Sequence, residues 1–387
     1  MPGVRQITHM RSVLVLLVAC SSASSAQPLP LGAPPHPAVS STAVIVQQIG
    51  DTTSSGKVLA AHIVAGVEDA IATDRPTYAR KDQHVTLYAA VEAEVAGAHV
   101  WFSDAPALKI AGKTVTARPL AKAPLVELRW NRIEPAEANI SNGEARAFHF
   151  QTIDYRATPI DAGGRTAIPA DVRPTLTPDH GNGVGTMRYQ LIAVQGDRVI
   201  ASPGPEARRG KGSGGLTDAV MRVSIRRDDT YLGYLTEMFN QPYIWASAGL
   251  SDGSHQSEHL EGSDCADFVV YGARRMGAKI SYTWTGGLPG VTKLLGAGTR
   301  GDDGIYRDAK GRPVTFTRPG DLVLFPRHVG VLTVDRGTLG VLDDHDLMMH
   351  TLFDSPKEQP IADSGYADRP LEVRRFTRDL RPGRSRD

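Results

Sequence analysis

Residues 264–276 read DCADFVVYGARRM, and this stretch predicts an α-helix with a cysteine in its first turn. Asp264 is a good N-cap because its short carboxylate can accept hydrogen bonds from the free amides at the start of a helix. Cys265 then lies where those amides and the positive end of the helix dipole favour a thiolate. The stretch therefore predicts both a helix and a reactive thiol.

The segments around this helix predict an α+β arrangement. A shorter helical pattern precedes it over residues 228–239. Four strand-like runs follow it, at residues 321–325, 328–334, 347–352 and 371–376. Helices followed by an antiparallel sheet are typical of α+β proteins. Adjacent strands in such a sheet would bring His328 and His350 side by side, so that one imidazole orients the other beside the thiol.

Residues 43–204 show a different pattern, in which apolar and polar residues alternate with a period of two. Such alternation marks strands with one buried face. The clearest runs lie at residues 85–91, 126–130, 148–151 and 187–191. Turn-rich segments separate them, which predicts an antiparallel β-sandwich, with an immunoglobulin-like arrangement as the expected type. We find no catalytic constellation in this region and interpret its scattered histidines as surface or core residues.

Residues 1–26 have the pattern of an export signal, with arginines before a short apolar run. That run is much shorter than the roughly 20 residues that a membrane-spanning helix needs. Two cleavage sites are consistent with the sequence. Leu17-Val18-Ala19-Cys20 resembles a lipobox, in which Cys20 carries the lipid, and residues 24–26 resemble an ordinary small-residue site. Both predict an exported protein of the periplasm or cell envelope, and Ser21 after a lipidated Cys20 favours an outer-membrane lipoprotein.

Composition sets the remaining boundaries. Residues 27–42 are rich in Pro, Ala and Ser and predict a tether, and residues 205–216 have the Pro, Gly and basic residues of an interdomain linker. The α+β domain is then expected over 217–378, with a basic tail at 379–387.

The 43 Lys and Arg residues nearly balance the 42 Asp and Glu residues, which argues against a nucleic-acid partner.

The chain has two cysteines, and they are predicted to have separate roles. If Cys20 is lipidated or removed with the signal, Cys265 has no intramolecular disulfide partner. A lone thiol of this kind is either inert in the core or retained for its reactivity. The position of Cys265 at a helix start favours reactivity.

Four ordered motifs resemble those of the NlpC-type family of bacterial cell-wall cysteine peptidases, which have a papain-like α+β fold. The family's Pro-Tyr-Val-Trp-Gly-like motif corresponds to QPYIWA at 241–246, and its Asp-Cys-Ser-Gly-Phe-Val to DCADFV at 264–269. Its Pro-Gly-Asp-Leu-Val-Phe-Phe and His-Val-Gly correspond to PGDLVLF at 319–325 and HVG at 328–330, and its Met-Ile-His to MMH at 348–350. The resemblance covers about 150 of the 387 residues.

The resemblance implies a role for each matching residue. Cys265 would be the nucleophile, His328 the general base and acid, and His350 the residue that orients His328. Tyr243 and Asp264 would belong to the oxyanion and substrate-binding residues, with the backbone amide of Cys265 as a further oxyanion donor. The implied substrate is a peptide bond in peptidoglycan stem peptides, often between D-glutamate and diaminopimelate, with no cofactor or metal.

The chain departs from the family where Ala266-Asp267 replaces the usual Ser-Gly. We expect the Ala266 amide to remain available to an oxyanion and the Asp267 carboxylate to lie near the site. Three segments, at 247–262, 281–318 and 333–346, are longer than usual and are expected to rim a substrate groove.

Several alternatives remain open at this stage. His255, Glu258 and His259 have a spacing that also suits zinc ligands on one helix face. His345 competes with His350 for the third polar position. The alternative functions are a non-catalytic envelope lipoprotein that binds the wall or a protein partner through its β domain, and an amidase or acyltransferase on the same fold.

Overall fold

A computed structural model describes residues 48–141, 152–210, 214–247, 251–378 and 380. The predicted export signal with Cys20, the tether at 27–42, the strand at 148–151 and nearly all of the tail at 379–387 lie outside these residues. The described part is a mixed α+β structure dominated by β-sheets. None of its helices is both long and apolar enough to cross a membrane.

Sixteen strands precede the first α-helix in the described residues. Strands β1 to β16 are Gln48–Ile49, Lys57–Val67, Ala72–Thr73, Thr77–Arg80, Val85–Val95, Ala98–Ser103, Leu108–Ile110, Lys113–Val115, Ala117–Arg118, Val126–Pro135, Asn139–Ser141, Tyr155–Ile160, Ala167–Pro169, Gly185–Gln195, Arg198–Ala201 and Met221–Arg226. A 3-10 turn at Leu120–Lys122 lies among them.

Most of these strands form two sheets. A seven-stranded sheet has the order β1-β10-β14-β16-β4, with β12 and β15 pairing at β10 and β14. An eight-stranded sheet has the order β8-β7-β3-β2-β5-β6-β9, with β13 on β5. Leu87 and Val91 from the second sheet and Trp130 and Leu191 from the first belong to one buried cluster. Both sheets therefore bury an apolar face in this cluster, as the alternation predicted.

The remaining strands and the helices form the C-terminal part. Helices α1 and α2 are Tyr231–Leu235 and Cys265–Arg275, and 3-10 turns cover Thr236–Met238, Asp252–Ser254, Gln256–His259, Leu288–Gly290 and Ile361–Ser364. Strands β17 to β24 are Tyr243–Trp245, Thr292–Arg300, Tyr306–Arg307, Leu322–Phe325, His328–Val334, Leu347–His350, Lys357–Pro360 and Leu371–Phe376. The last seven form an antiparallel sheet in the order β19-β18-β24-β20-β21-β22-β23.

Helix α2 is the buried centre of the C-terminal part. All nine residues from Cys265 to Ala273 are buried, so no face of this segment is left to solvent. Gly272 permits the close approach of α1, because a Cβ at this position would lie 2.6 Å from Cδ2 of Leu235. The predicted helix at 228–239 is shorter than expected, since its α-helical part ends at Leu235 and continues as a 3-10 turn.

The boundary between the two predicted domains differs from the sequence-based expectation. Strand β16 lies inside the predicted 217–378 domain, yet it pairs with β14 and β4 of the N-terminal seven-stranded sheet. The buried cluster that contains Trp130 also contains Leu235 and Phe268 from α1 and α2. The described residues from 48 onward accordingly fall in one compact unit, because the sheet and the helices share an apolar core.

Buried arginines of the N-terminal sheet hold the segment that leads into α2. Arg188 on β14 donates to Oε1 of Gln241 at 3.1 Å and to the carbonyl oxygens of His259 and Leu260 at 3.0 and 2.9 Å. Arg222 on β16 also donates to the His259 carbonyl. Strand β17 provides a second connection between the N-terminal strands and the segment before α2, because it pairs in parallel with β11.

We expect Arg188→Met to lower the free energy of unfolding by roughly 2–4 kcal/mol, because the buried acceptors of Gln241 and Leu260 lose their arginine donor, whereas the His259 carbonyl keeps Arg222. Urea denaturation followed by circular dichroism measures this change. Arg312→Met is the matched control, since the Arg312 side chain is 71% exposed and should change stability by no more than about 0.5 kcal/mol. Equal effects of the two substitutions would contradict the assigned role of Arg188.

Candidate active site

Cys265 is the first residue of α2, and Asp264 caps the helix as predicted. Oδ1 of Asp264 accepts hydrogen bonds from the backbone amides of Ala266 and Asp267, both at 2.9 Å. The expectation that the Ala266 amide is available to an oxyanion is therefore wrong, because the cap already occupies this amide. The cap does not use the Cys265 amide.

The Cys265 thiol lies in an environment that opposes its ionisation. Burial raises the pKa of Cys265, and the neighbouring Asp264 carboxyl raises it further. The backbone amides of Val329, Ala266 and Cys265 act in the opposite direction but do not outweigh these effects. The helix start therefore does not make a thiolate in the resting protein, because loss of hydration outweighs the stabilising amides.

His328 and His350 form a buried imidazole pair. Nε2 of His328 lies 2.9 Å from Nδ1 of His350, and their rings meet edge to face at 74°. The two residues are 0% and 1% exposed. Nδ1 of His328 and Nε2 of His350 have no hydrogen-bond partner among the described residues. One nitrogen of His328 is therefore fixed by His350, and the other remains available for chemistry.

Both imidazoles are held in their neutral form. Burial lowers the pKa of His328 well below its usual value, and His350 lowers it further. Burial also lowers the pKa of His350 to about 4, with a smaller contribution in the same direction from Lys357. A neutral His328 with Nε2–H donated to His350 presents a bare Nδ1, which is the form that a general base requires.

The strand register explains how the two histidines meet. His328 begins β21, and Arg327 before it has a positive φ of 68°, as the tight connection from β20 requires. Gly330 shares the face of His328 because side chains alternate along a strand. A Cβ at position 330 would lie 3.3 Å from Cβ of His350, so the glycine keeps this face open for the second imidazole.

Tyr243, the tyrosine that the resemblance implied, is buried and interacts electrostatically with Cys265. It is 4% exposed and begins β17, where its amide donates to the Ala138 carbonyl at 2.8 Å. Burial raises the pKa of Tyr243, and the next largest contribution comes from Cys265. The Tyr243 hydroxyl is therefore a protonated hydrogen-bond donor at neutral pH, which suits an oxyanion donor.

Tyr366 is a site residue that the sequence analysis missed. Its ring lies 4.7 Å from the His328 ring at 30°, and Phe325 stacks on His328 at 6.2 Å and 18°. These aromatic neighbours restrict the plane of the imidazole. Tyr366 follows the 3-10 turn Ile361–Ser364 in a stretch without a motif, so no sequence signal could have identified it.

The alternative zinc site at 255–259 does not form among the described residues. Nδ1 of His255 lies 2.9 Å from Oδ2 of Asp267, and the His255 ring stacks on Tyr282 at 4.1 Å. Glu258 instead pairs with Arg274 and accepts from Tyr282. Asp267, whose carboxylate was expected near the site, therefore ties the loop before α2 to the helix.

His345 is separate from the imidazole pair. Its side chain is 73% exposed, and its Nδ1 lies 3.1 Å from Oδ1 of Asp344. The donor atoms of His345, Asp343 and Asp344 lie close enough together to hold a metal ion. Among the described residues, this is the one such group of three. The structure thus places His350, and not His345, beside His328.

A groove of about 630 Å³ lies next to the turn that precedes His328. Phe325, Pro326 and Arg327 form one part of its wall. Trp284, which is 74% exposed, and residues 297–299 form other parts. The long segment at 281–318 therefore lines a groove, but neither Cys265 nor His328 belongs to its lining. The segments at 247–262 and 333–346 do not contribute to this groove.

Comparisons with protein-family models, with curated proteins and with solved structures returned no match for this chain. The candidate site therefore rests on its own geometry and on the motifs.

We expect alkylation of Cys265 by iodoacetamide to increase with pH through a midpoint above the free-thiol pKa of about 8.5, because burial raises the pKa of this thiol. Mass spectrometry of protein without residues 1–26 measures this, since Cys265 is then the sole cysteine. A midpoint at or below the free-thiol value would contradict the conclusion that burial raises the pKa of this thiol.

Proposed function

We propose that this protein is an exported cysteine hydrolase that cleaves peptide bonds of bacterial peptidoglycan. The observation that carries the proposal is the buried pair of His328 and His350, which leaves Nδ1 of His328 without a partner. The backbone amide of the next residue, Val329, interacts with the Cys265 thiol. A nucleophile, a base and a group that orients the base therefore belong to one buried site.

The proposed reaction begins when Sγ of Cys265 attacks the carbonyl carbon of the scissile peptide bond. The thiol proton passes to Nδ1 of His328 as the C–S bond forms, which is consistent with a neutral thiol and a neutral imidazole at rest. The C–N bond then breaks, and His328 returns the proton to the leaving amine. His328 then deprotonates a water that attacks the thioester carbonyl, the C–S bond breaks to release the acid, and the proton passes from His328 back to Sγ of Cys265.

The negative charge on the carbonyl oxygen would be stabilised by two donors. The Cys265 amide at the start of α2 is not used by the Asp264 cap. The Tyr243 hydroxyl is protonated at neutral pH because burial raises its pKa. Asp264 contributes indirectly, because it caps the helix that positions the thiol.

The four motifs and this site support assignment of the C-terminal part to the NlpC-type family, with a papain-like arrangement of helix and sheet. The family assignment in turn supports peptidoglycan stem peptides as substrate, without a cofactor. We further propose that the N-terminal sheets form an immunoglobulin-like sandwich that binds an envelope partner. The export signal at 1–26 and a lipidated Cys20 would place the protein at the outer membrane facing the periplasm.

Digestion of purified peptidoglycan, followed by mass analysis of the soluble fragments, tests the activity. We expect new stem-peptide fragments from the wild-type protein and none from Cys265→Ala or His328→Ala. Sacculi with different peptide cross-links should be included, because they offer different stem-peptide bonds to the site. Absence of fragments from all of them would contradict the proposal, and fragments formed equally by Cys265→Ala would exclude the thiol mechanism.

His350→Ala should lower kcat by about 100-fold or more, because His328 loses the group that fixes its orientation and tautomer. His345→Ala is the matched control, since His345 is exposed and outside the imidazole pair, and it should retain nearly full kcat. Fragment release over time measures both variants. Equal losses of kcat in the two variants would contradict the assignment of His350 as the residue that orients His328.

The digestion also separates hydrolysis from the alternative transfer reaction. A thioester on Cys265 that is resolved by an amine instead of water would give a new amide product. Addition of glycine methyl ester as an acceptor, with mass detection of its adduct, distinguishes an acyltransferase from a hydrolase.

A further inference from the structure

A second cavity, of about 300 Å³, lies between the loop at 180–184 and strand β23. Its volume is at the lower end of the range for small-molecule sites. Its lining contains neither Cys265 nor the catalytic histidines, so it is separate from the candidate active site.

Three cationic side chains line this cavity. Lys81 and Arg227 follow β4 and β16, which pair in parallel, so both emerge at the same edge of the sheet. The third, Lys357, begins β23. Nζ of Lys81 is 3.0 Å from the Asn182 carbonyl, which directs the lysine toward the cavity wall. Positive charge from three separate elements therefore converges on a small volume.

Glu358 also lines the cavity and has an incomplete set of partners. Its Oε1 is buried and has no hydrogen-bond partner among the described residues. Its ion-pair partner, Nη1 of Arg227, is 3.9 Å away, which is beyond hydrogen-bond distance. A buried carboxylate oxygen without a donor is costly, so a ligand that brings a donor to this position would be favoured.

Asp354 lies outside the cavity lining and pairs with Lys357, so it offsets the charge of that lysine but not the charges of Lys81 and Arg227. Its Oδ2 accepts from Nε2 of His180 at 2.9 Å and from Nζ of Lys357 at 3.0 Å. A ligand that is only an anion would suit the cations and leave Glu358 without a donor. A ligand that is only a cation would suit Glu358 and be repelled by Lys81 and Arg227.

We propose that this cavity binds a small zwitterion, the ammonium-and-carboxylate head group of an amino acid. The carboxylate would lie among Lys81, Arg227 and Lys357, and the ammonium group would donate to Oε1 of Glu358. Charge-assisted hydrogen bonds of this kind are the strongest class available to a small ligand.

The cavity is connected to the imidazole pair through one strand pair. Lys357 is directly opposite His350 in the register of β22 and β23. A bound carboxylate would therefore lie next to the lysine that neighbours His350. Binding does not require hydrolase activity, so the inference stands or fails independently of the proposed function.

Isothermal titration calorimetry with glycine as the probe tests the inference in the full chain. Acetate and ethylammonium serve as the two halves of the zwitterion, and inorganic phosphate as a simple anion. We expect glycine to bind at least 10-fold more tightly than either half. Acetate or phosphate binding as tightly as glycine would overturn the zwitterion in favour of an anion site, and absence of binding by all four would overturn the site.

Substitutions in the cavity lining test whether glycine binds in this cavity. We expect Glu358→Gln and Lys81→Ala each to weaken glycine binding by at least 10-fold, with unchanged circular dichroism. Lys113→Ala is the matched control, because Lys113 is exposed on β8 and does not line the cavity. Glycine binding that survives both cavity substitutions would assign it elsewhere and reject this site.

Discussion

Burial of helix α2 fixes how the C-terminal part is assembled. The helix carries Cys265 in its first turn and is covered throughout the segment from Cys265 to Ala273. Because no face of that segment meets solvent, the sheet that carries His328 and the strand that carries Tyr243 must both pack close to the helix start. The same burial that brings these groups together also raises the pKa of the thiol and lowers the pKa of the imidazole. Assembly of the site and neutrality of its groups thus have one physical cause.

The N-terminal sheets participate in building the site. Arg188 and Arg222 reach from the seven-stranded sheet to the carbonyl of His259, shortly before α2. Strand β17 with Tyr243 pairs with β11, which precedes it by about a hundred residues in the chain. The β region is therefore a structural support for the candidate active site, in addition to any partner that it binds. The shared core cluster gives this support its rigidity, because well-packed interiors transmit displacement.

Much of the fold was predictable because its signals are local. Strands β21 and β24 have the bounds expected from their sequence runs, and Asp264 caps α2 as its side chain predicts. Strand β18, Thr292–Arg300, was missed because its residues are mostly half-buried or exposed and lack alternation. Tyr366 was missed because its role depends on a ring contact across the fold. The position of β16 was also missed, since the Gly-rich segment before it resembles a linker although the sheet continues beyond it.

The types of groups available can be read from the amino-acid sequence: a cysteine behind a capping aspartate, two histidines on strand segments, and an alternating β region. The sequence also determined their order, on which the proposed family assignment rests. Only the tertiary structure decided the state of these groups and their partners. The cap uses the Ala266 amide, His350 and not His345 contacts His328, and burial keeps the thiol protonated. These outcomes depend on desolvation and on contacts between residues far apart in the chain, and neither is encoded in local spacing.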